Sequence, residues 1–342
     1  MQQCSVIILN WNGEAMLRRY LPSVIQHTQG EGIEVVVADN GSTDASLEYL
    51  RTQPIRLITL DKNFGFAEGY NRAIEQVEAE YVVLLNSDVE VTENWLNTLL
   101  EFARARENVV AVQPKILSWQ SKEDAQHARS SDILFEHAGA AGGMMDCLGY
   151  PYCYGRMMSH VEYDHGQYDE PRPIFWASGA CLLIRRDIYL QVGGLDGQFF
   201  AHQEEIDLCW RLHCRGYEIM SVPQSTVYHL GGGALGYESP RKTYLNFRNN
   251  LLMLYKNLPA GQMHFVLFIR FFLDYVAAIQ MLVARKWLNF KAVLQARKDF
   301  LVMRRIYKNI REDNLRNAKQ SYPSIIMKRS IVFDYYIRRK QK

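Results

Sequence analysis

The sequence predicts an α/β fold: a mostly parallel central sheet flanked by helices, followed by a helical C-terminal extension. Three observations predict it. Short, continuously apolar β-rich runs alternate with helical stretches over the first 115 residues, the pattern of parallel strands buried on both faces. Asp39, Asp61 and Asp88 fall just past the ends of three of those runs, where open parallel sheets bind ligands. From about Ser239 onward the pattern is helical.

In order, an apolar run at 6–9 leads to a helical stretch at 14–27, and a second strand at 34–38 stops at Asp39-Asn40-Gly41, a strong turn signal. A third strand at 56–60 is followed by a helix at 66–76. The fourth strand, 81–85, closes at Asn86-Ser87-Asp88, and a helix at 94–106 precedes a strand at 109–112. Residues 116–172 are rich in Gly, Tyr, Met, His and Pro with weak periodicity, and are expected to be an irregular, acceptor-side insertion. Regular signals resume with a strand at 180–185, a helix at 204–214 stopped by Gly216, and short strands at 217–222 and 226–229. A catalytic domain over 1–258 and a helical, basic region over 259–342 are the expected division.

With 48% hydrophobic residues the chain has ample material for a core. Its net charge of +2 hides an asymmetry: from Arg285 to Lys342 there are 17 Lys or Arg against 4 Asp or Glu, so the first 284 residues carry −11. An acidic body with a basic tail fits an anionic partner, lipid or nucleic acid, or simply a solvated helical surface. The apolar run after Gln2-Gln3-Cys4 is too short for a signal core. The six cysteines form no CxxC pair and read as reduced thiols, with a Cys147–Cys153 bridge as a minor possibility.

Four constellations carry chemistry. Asp88 at a strand end can bind a hard divalent cation through oxygen, or simply close the turn. Glu204, Glu205 and Asp207 crowd a helix start. Dipole matching alone accounts for that, yet Asp207 and Arg211 are spaced to pair, which leaves Glu204 or Glu205 free to take a proton from a hydroxyl. His229, ahead of Gly231-Gly232-Gly233, is either a metal ligand or structural. Asn63-Phe64-Gly65-Phe66 can accommodate phosphate or ribose at a helix start. GxGxxG and GxxxxGK[ST] are both absent, so dinucleotide and P-loop readings lack their motifs.

Taken in order, Val36-Val37-Ala38-Asp39-Asn40-Gly41-Ser42-Thr43-Asp44, Asn63-Phe64-Gly65-Phe66, Leu84-Leu85-Asn86-Ser87-Asp88, Trp176-Ala177-Ser178-Gly179-Ala180, Gly193-Gly194-Leu195-Asp196, Glu204-Glu205-Ile206-Asp207 and Tyr228-His229 resemble the family 2 glycosyltransferases of GT-A fold. The resemblance spans roughly residues 4–255 and is nearest in flavour to the bacterial rhamnosyltransferase-like branch. It implies an inverting transfer from a nucleotide-sugar donor, UDP- or dTDP-linked, to a glycan or lipid-linked acceptor in surface polysaccharide biosynthesis. It also implies Mg²⁺ or Mn²⁺ as cofactor. By the same resemblance Asp39, Ser42, Asp61, Asn63, Gly65, Asn86 and Ser87 would lie on the donor side, and Asp88 and His229 would hold the metal. Glu205 would be the base with Glu204 beside it and Asp207 as its rival. Trp176, Ser178 and Gly179 would line the acceptor side. Asn86 replaces the first Asp of the family's Asp-x-Asp element, and Glu205 replaces the commoner Asp.

The stretch 264–284, HFVLFIRFFLDYVAAIQMLVA, has only Arg270 and Asp274 as charges, an i,i+4 pair. About 20 such residues are enough to span a bilayer, but two charges at mid-depth make that costly. A helix lying in the interface, or a hydrophobic hairpin arm packed on the catalytic domain, is expected. The basic segment, with Arg304-Arg305 and Arg338-Arg339-Lys340, would then hold anionic headgroups at the cytoplasmic face of the membrane. A core helix or the interface of a homo-oligomer is the plainer reading. Three other functions compete with this reading. A nucleotidyltransferase needs a basic phosphate loop, and residues 4–13 contain no Lys or Arg. A non-catalytic nucleotide-sugar-binding scaffold is suggested by Asn86. Nucleic acid is not an expected partner, because no readout motif accompanies the basic tail.

Overall fold

The structure, a computed structural model, describes residues 2–129, 132–231 and 239–339. Gly232, Gly233 and Lys340 therefore lie outside the described residues. Strands β1 (Gln2–Asn10), β2 (Ile33–Asn40), β3 (Arg56–Leu60) and β4 (Ala79–Asn86) pair in parallel, with helices α1 (Glu14–His27), α2 (Ser46–Leu50) and α3 (Gly65–Glu75) as their crossovers. Their apolar runs are continuous because alternate residues face different cores. Val82 and Leu84 enter one hydrophobic cluster, and Tyr81, Val83 and Leu85 enter the other.

The second half of the sheet is mixed, not parallel. After β5 (Val89–Val91), α4 (Trp95–Arg104) and β6 (Val109–Ser118), the chain leaves at the carboxyl edge and builds the 116–172 region. It re-enters from that same edge, so β12 (Cys181–Arg185) must run antiparallel between β4 and β6. The 116–172 region is mostly loop and turn, with regular pieces set into it. It holds α5 (Trp119–Ala128) and an antiparallel sheet of β7 (Gly143–Met145), β8 (Pro151–Cys153), β9 (Arg156–Met157) and β10 (His160–Val161). Strands of two or three residues leave no period to read. Buried Lys115 pins the insertion by pairing with Asp164 and Asp169.

β11 (Arg172–Pro173), α6 (Arg186–Gln191), α7 (Glu204–Cys214) and β13 (Glu218–His229) complete the main body. The sheet order is β11-β13-β6-β12-β4-β1-β2-β3, with β5 pairing β13. The expected strands at 217–222 and 226–229 are one strand, with a register shift against β6 between Val222 and Thr226. Pro223 falls in that shift and has no N–H to give to a ladder.

The C-terminal region is helical, as expected: α8 (Pro240–Asn257), α9 (Ala260–Val283), α10 (Trp287–Met303), α11 (Lys308–Arg316) and α12 (Ile331–Tyr336). Ser239 caps α8 by accepting from the Lys242 amide, and Pro240 occupies its first turn. All six cysteines are free.

Candidate active site

The carboxyl ends of β2, β1 and β4 lie side by side, with Asn10 opposite Asp39 and Leu9 opposite both Ala38 and Asn86. At about 4.8 Å per strand, Asp39 and Asn86 are about 10 Å apart along this edge. Asp39 is buried; its Oδ1 accepts from Asn10 Nδ2 (2.9 Å) and its Oδ2 from the Ser42 amide (3.0 Å). Ser42 Oγ accepts in turn from Asn10 (3.1 Å) and from the Asn12 amide (2.9 Å). Asn10 Oδ1 is buried without a partner. Asp61 is exposed at the turn after β3, on the same edge.

Asn40 ties β2 to the start of α3. Its amide donates to Gly65 O (3.0 Å) and to Asn63 Oδ1 (3.2 Å), and its Oδ1 accepts from the Phe64 N–H (3.0 Å). Gly65 is in the left-handed region at φ +84, and a Cβ there would stand 2.5 Å from the Phe200 ring. Only glycine meets both conditions.

The tight turn Asn86-Ser87-Asp88 links β4 to β5, and pairing of β5 with β13 sets His229 opposite Val89. Asp88 Oδ1 is 3.1 Å from His229 Nε2, and Asn86 Nδ2 is 3.4 Å from the same nitrogen. On the other side of the ring, Glu136 Oε2 is 3.6 Å from His229 Nδ1. Burial alone would lower the His229 pKa, but Asp88 and Glu136 together raise it to about 10. The imidazolium overcomes the burial penalty of both carboxyl groups and holds them below their ordinary values. Among the described residues, no three His, Cys, Asp or Glu side chains form a ready cation cage.

Glu204 and Glu205 open α7. Glu204 is buried and Glu205 half-buried, and an oxygen of each (Oε2) has no partner. Burial pushes Glu205 up to about 7. Burial, then the Glu205 charge, raises Glu204 well above the carboxylate range. A Cβ on Gly179 would lie 4.0 Å from Glu205 Cβ and 3.2 Å from the Phe66 ring. Next to Gly179, Ala180 O accepts from the Asn86 amide (3.0 Å), which ties the turn facing Glu205 to the Asp88 turn. Asp39, Asp88, Glu205 and His229 thus share one edge of the sheet.

Three expected residues face elsewhere. Asp207 is fully buried and accepts from Arg211 (3.0 Å), Lys256 (2.9 Å) and Asn257 (2.8 Å). Although burial opposes it, Lys256 and Arg211 keep Asp207 ionised, so it locks α7 to α8 and has no access to a substrate proton. Trp176 is a core residue whose Nε1 donates to Met144 O (2.9 Å), so its ring offers no open acceptor platform. Ser178 is also buried, donating from Oγ to Ala138 O (2.9 Å), which leaves Gly179 as the part of that turn nearest Glu205. Asn10, Asn40 and Glu136 were not singled out from the sequence. Asn10 and Asn40 had a signal, being amides at strand ends next to Asp39. A cavity of about 600 Å³ at the opposite edge, lined by Glu80, Arg104, Arg185 and Asp187 among others, contains none of these groups.

A family model described as "Glycosyl transferase family 2" matches residues 5–193. The N-acetylglucosaminyl-diphospho-decaprenol L-rhamnosyltransferase of Mycobacterium tuberculosis is 27% identical over 66% of this chain and 75% of its own length. The low-salt glycan biosynthesis hexosyltransferase Agl10 of Haloferax volcanii is 23% identical over 72% of this chain and 74% of its own. Among solved structures, GalNAc-T7 with UDP, GalNAc and Mn²⁺ aligns with a TM-score of 0.57 at 18% identity, over 76% of this chain and 49% of that one. The mannosyltransferase PcManGT of Pyrobaculum calidifontis, with GDP-Man and Mn²⁺, aligns with a TM-score of 0.52 at 15% identity, over 92% of this chain and 84% of that one. These likenesses bear on the fold, which is that of the GT-A enzymes.

Proposed function

The chain belongs to glycosyl transferase family 2, and from that premise we propose that it moves a sugar, with inversion, from a nucleotide-diphosphate donor to a glycan or lipid-linked acceptor. The observation that carries the reading is Glu205. It is a carboxylate with an unpartnered oxygen and a pKa near 7, at the edge that also holds the Asp39 and Asp88–His229 pairs. Glu205 takes the proton of an acceptor hydroxyl as that oxygen attacks the anomeric carbon. The new carbon–oxygen bond forms opposite the diphosphate, whose bond to the sugar breaks. Asp39, with Asn10 and Ser42 fixing its two oxygens, accepts hydrogen bonds from the nucleoside. Asn63 and Gly65 at the start of α3 adjoin the phosphates. Gly179 keeps the acceptor side open in front of Glu205.

Asp88 would offer a carboxylate oxygen to Mg²⁺ or Mn²⁺, and His229 would add Nε2 only on giving up the proton it shares with Asp88, with Asn86 beside them. Glu136 behind Nδ1 is the outer carboxylate that orients a ligating imidazole. When bound, the cation supplies positive charge to the diphosphate leaving group. The mycobacterial relative is an N-acetylglucosaminyl-diphospho-decaprenol L-rhamnosyltransferase, which supports a lipid-linked acceptor here; the donor we propose is UDP- or dTDP-linked. The nucleotidyltransferase and scaffold readings are not favoured.

In this reading residues 1–258 carry catalysis and 259–342 form a membrane-facing arm. α9 is the one helix among the described residues long and apolar enough to cross a membrane. Its charged pair faces inward, Arg270 donating to Asp274 (3.1 Å), Leu148 O (3.1 Å) and Asn250 (2.6 Å). Its outer face exposes Phe265, Phe268, Phe272, Val276 and Ile279. A helix with polar groups toward protein and a bare apolar face outward suits an in-plane seat on an anionic cytoplasmic leaflet.

The decisive experiment incubates the protein with a panel of nucleotide sugars and Mn²⁺. Donor binding by calorimetry and release of the nucleotide are expected; neither across the panel refutes the reading. Asp88→Ala removes the Mn²⁺-dependent binding, whereas Glu205→Ala keeps binding and abolishes transfer.

A further inference from the structure

The segment 198–203, which leads into Glu204-Glu205, has an unfavourable backbone. The Ala201 N–H donates to Phe199 O (2.8 Å), closing a three-residue turn around Phe200 at φ 66, ψ −58. His202 (φ 71) and Gln203 (φ 73) follow in the left-handed region. None of the three is glycine, so the surroundings must hold them there.

What holds them is one turn of α8. Asn249 is fully buried, and the two N–H groups of its Nδ2 are shared among Phe199 O (3.0 Å), Ala201 O (2.9 Å) and His202 O (2.7 Å). Its Oδ1 accepts from Arg248 Nε (2.9 Å), which fixes the orientation of the amide. Arg248 Nη2 reaches Gln198 O (3.0 Å) and Phe199 O (3.1 Å). Asn250 donates to Gln203 Oε1 (3.1 Å), and Gln203 is the residue immediately before α7. From the other side Phe200 O accepts from the amides of Phe66 (2.6 Å) and Ala67 (3.2 Å) at the start of α3. An aspartate at 249 would turn its own oxygens on three carbonyls, so the position requires an uncharged donor.

We propose that Asn249, supported by Arg248 and Asn250, is the positioning residue for the base: it holds the strained 198–203 turn that aims Glu205 at the acceptor hydroxyl. This rests on the assignment of Glu205 as base. Asn249 is sealed from substrate, so it acts only through the turn.

The test uses the full chain with Asn249→Ala and the milder Arg248→Lys. Backbone hydrogen exchange is measured over residues 199–205, UDP and dTDP binding with Mn²⁺ by calorimetry, and kcat and KM on the nucleotide sugar that the wild type hydrolyses. Exchange over 199–205 is expected to rise while nucleotide affinity holds. The donor KM is also expected to hold while kcat falls about 100-fold, the effect of a misplaced reacting group. A general loss of fold would instead weaken binding and turnover together. Unchanged exchange over 199–205 in both variants, or equal losses of binding and kcat, overturns the proposal. If Glu205→Gln keeps wild-type kcat, it is the base assignment that fails, and the exchange result still decides whether Asn249 holds the turn.

Discussion

Replacing Glu205 with glutamine separates what this carboxylate costs the fold from what it does in transfer. Burial carries its pKa from 4.5 up to about 7, so the folded protein holds that proton more tightly than the unfolded chain does. Below pH 4.5 both states are protonated and the neutral glutamine is a close mimic. Between pH 4.5 and 7 the unfolded chain releases the proton first, and stability is lost as pH rises through the folded pKa. At about 1.4 kcal/mol per pKa unit, the full loss is about 3 kcal/mol. Glu205→Gln should therefore gain about 3 kcal/mol over the wild type between pH 4.5 and pH 8, on top of any pH-independent effect of the amide. Glu204, raised by burial and then by the Glu205 charge, ionises more readily in the variant and adds to the same trend. Denaturant unfolding at the two pH values measures the difference, with the slopes compared to check that the unfolding process is unchanged. Transfer by the variant should fall by about 10²–10⁴, and the wild-type kcat/KM should show an acid limb near pH 7. A stability difference that is the same at both pH values refutes the reasoning, because Glu205 would then be ionised and well solvated throughout.

Three further outcomes are expected. Lys256→Met leaves Asp207 and Asp196 short of their buried cation and should cost about 3 kcal/mol in thermal unfolding, with nucleotide binding retained. Gly65→Ala forces a Cβ against the Phe200 ring at φ +84; a loss of about 2 kcal/mol is expected, read by unfolding, and an unchanged protein contradicts the close packing of α3 on that turn. Phe268→Glu with Phe272→Glu, both on the exposed face of α9, should abolish flotation with anionic vesicles while leaving the melting temperature intact. Added salt should weaken the wild-type interaction, and flotation by the double variant would remove α9 from the membrane reading.

The sheet was legible because its inner strands are buried on both faces and therefore read as unbroken apolar runs. The strand-end positions Asp39 and Asp88 followed from those runs. The direction of β12 was not legible, since it depends on where the chain re-enters after the insertion and not on the strand's own residues. Glu136 was missed because its meaning comes from His229, which reaches it only through the β13–β6 pairing and the fold of the insertion. Trp176 shows the converse problem: an aromatic ring has the same letters whether it lines a sugar cleft or fills a core. Asp207 is engaged by Lys256, on a different helix, a pairing its own segment gives no sign of. Asn249 gave no signal, being a polar residue in a helix whose importance lies in three carbonyls of another segment.

A single backbone oxygen, Phe200 O, receives the first amides of α3, the helix proposed to lie beside the nucleotide, while its own residue forms the bend that leads into Glu205, the proposed base. The two halves of the proposed reaction site therefore share one joint. A change on either side is transmitted to the other without passing through any substrate. Substitutions at Gly65 and Asn249 should consequently combine less than additively, because either one already releases the same bend.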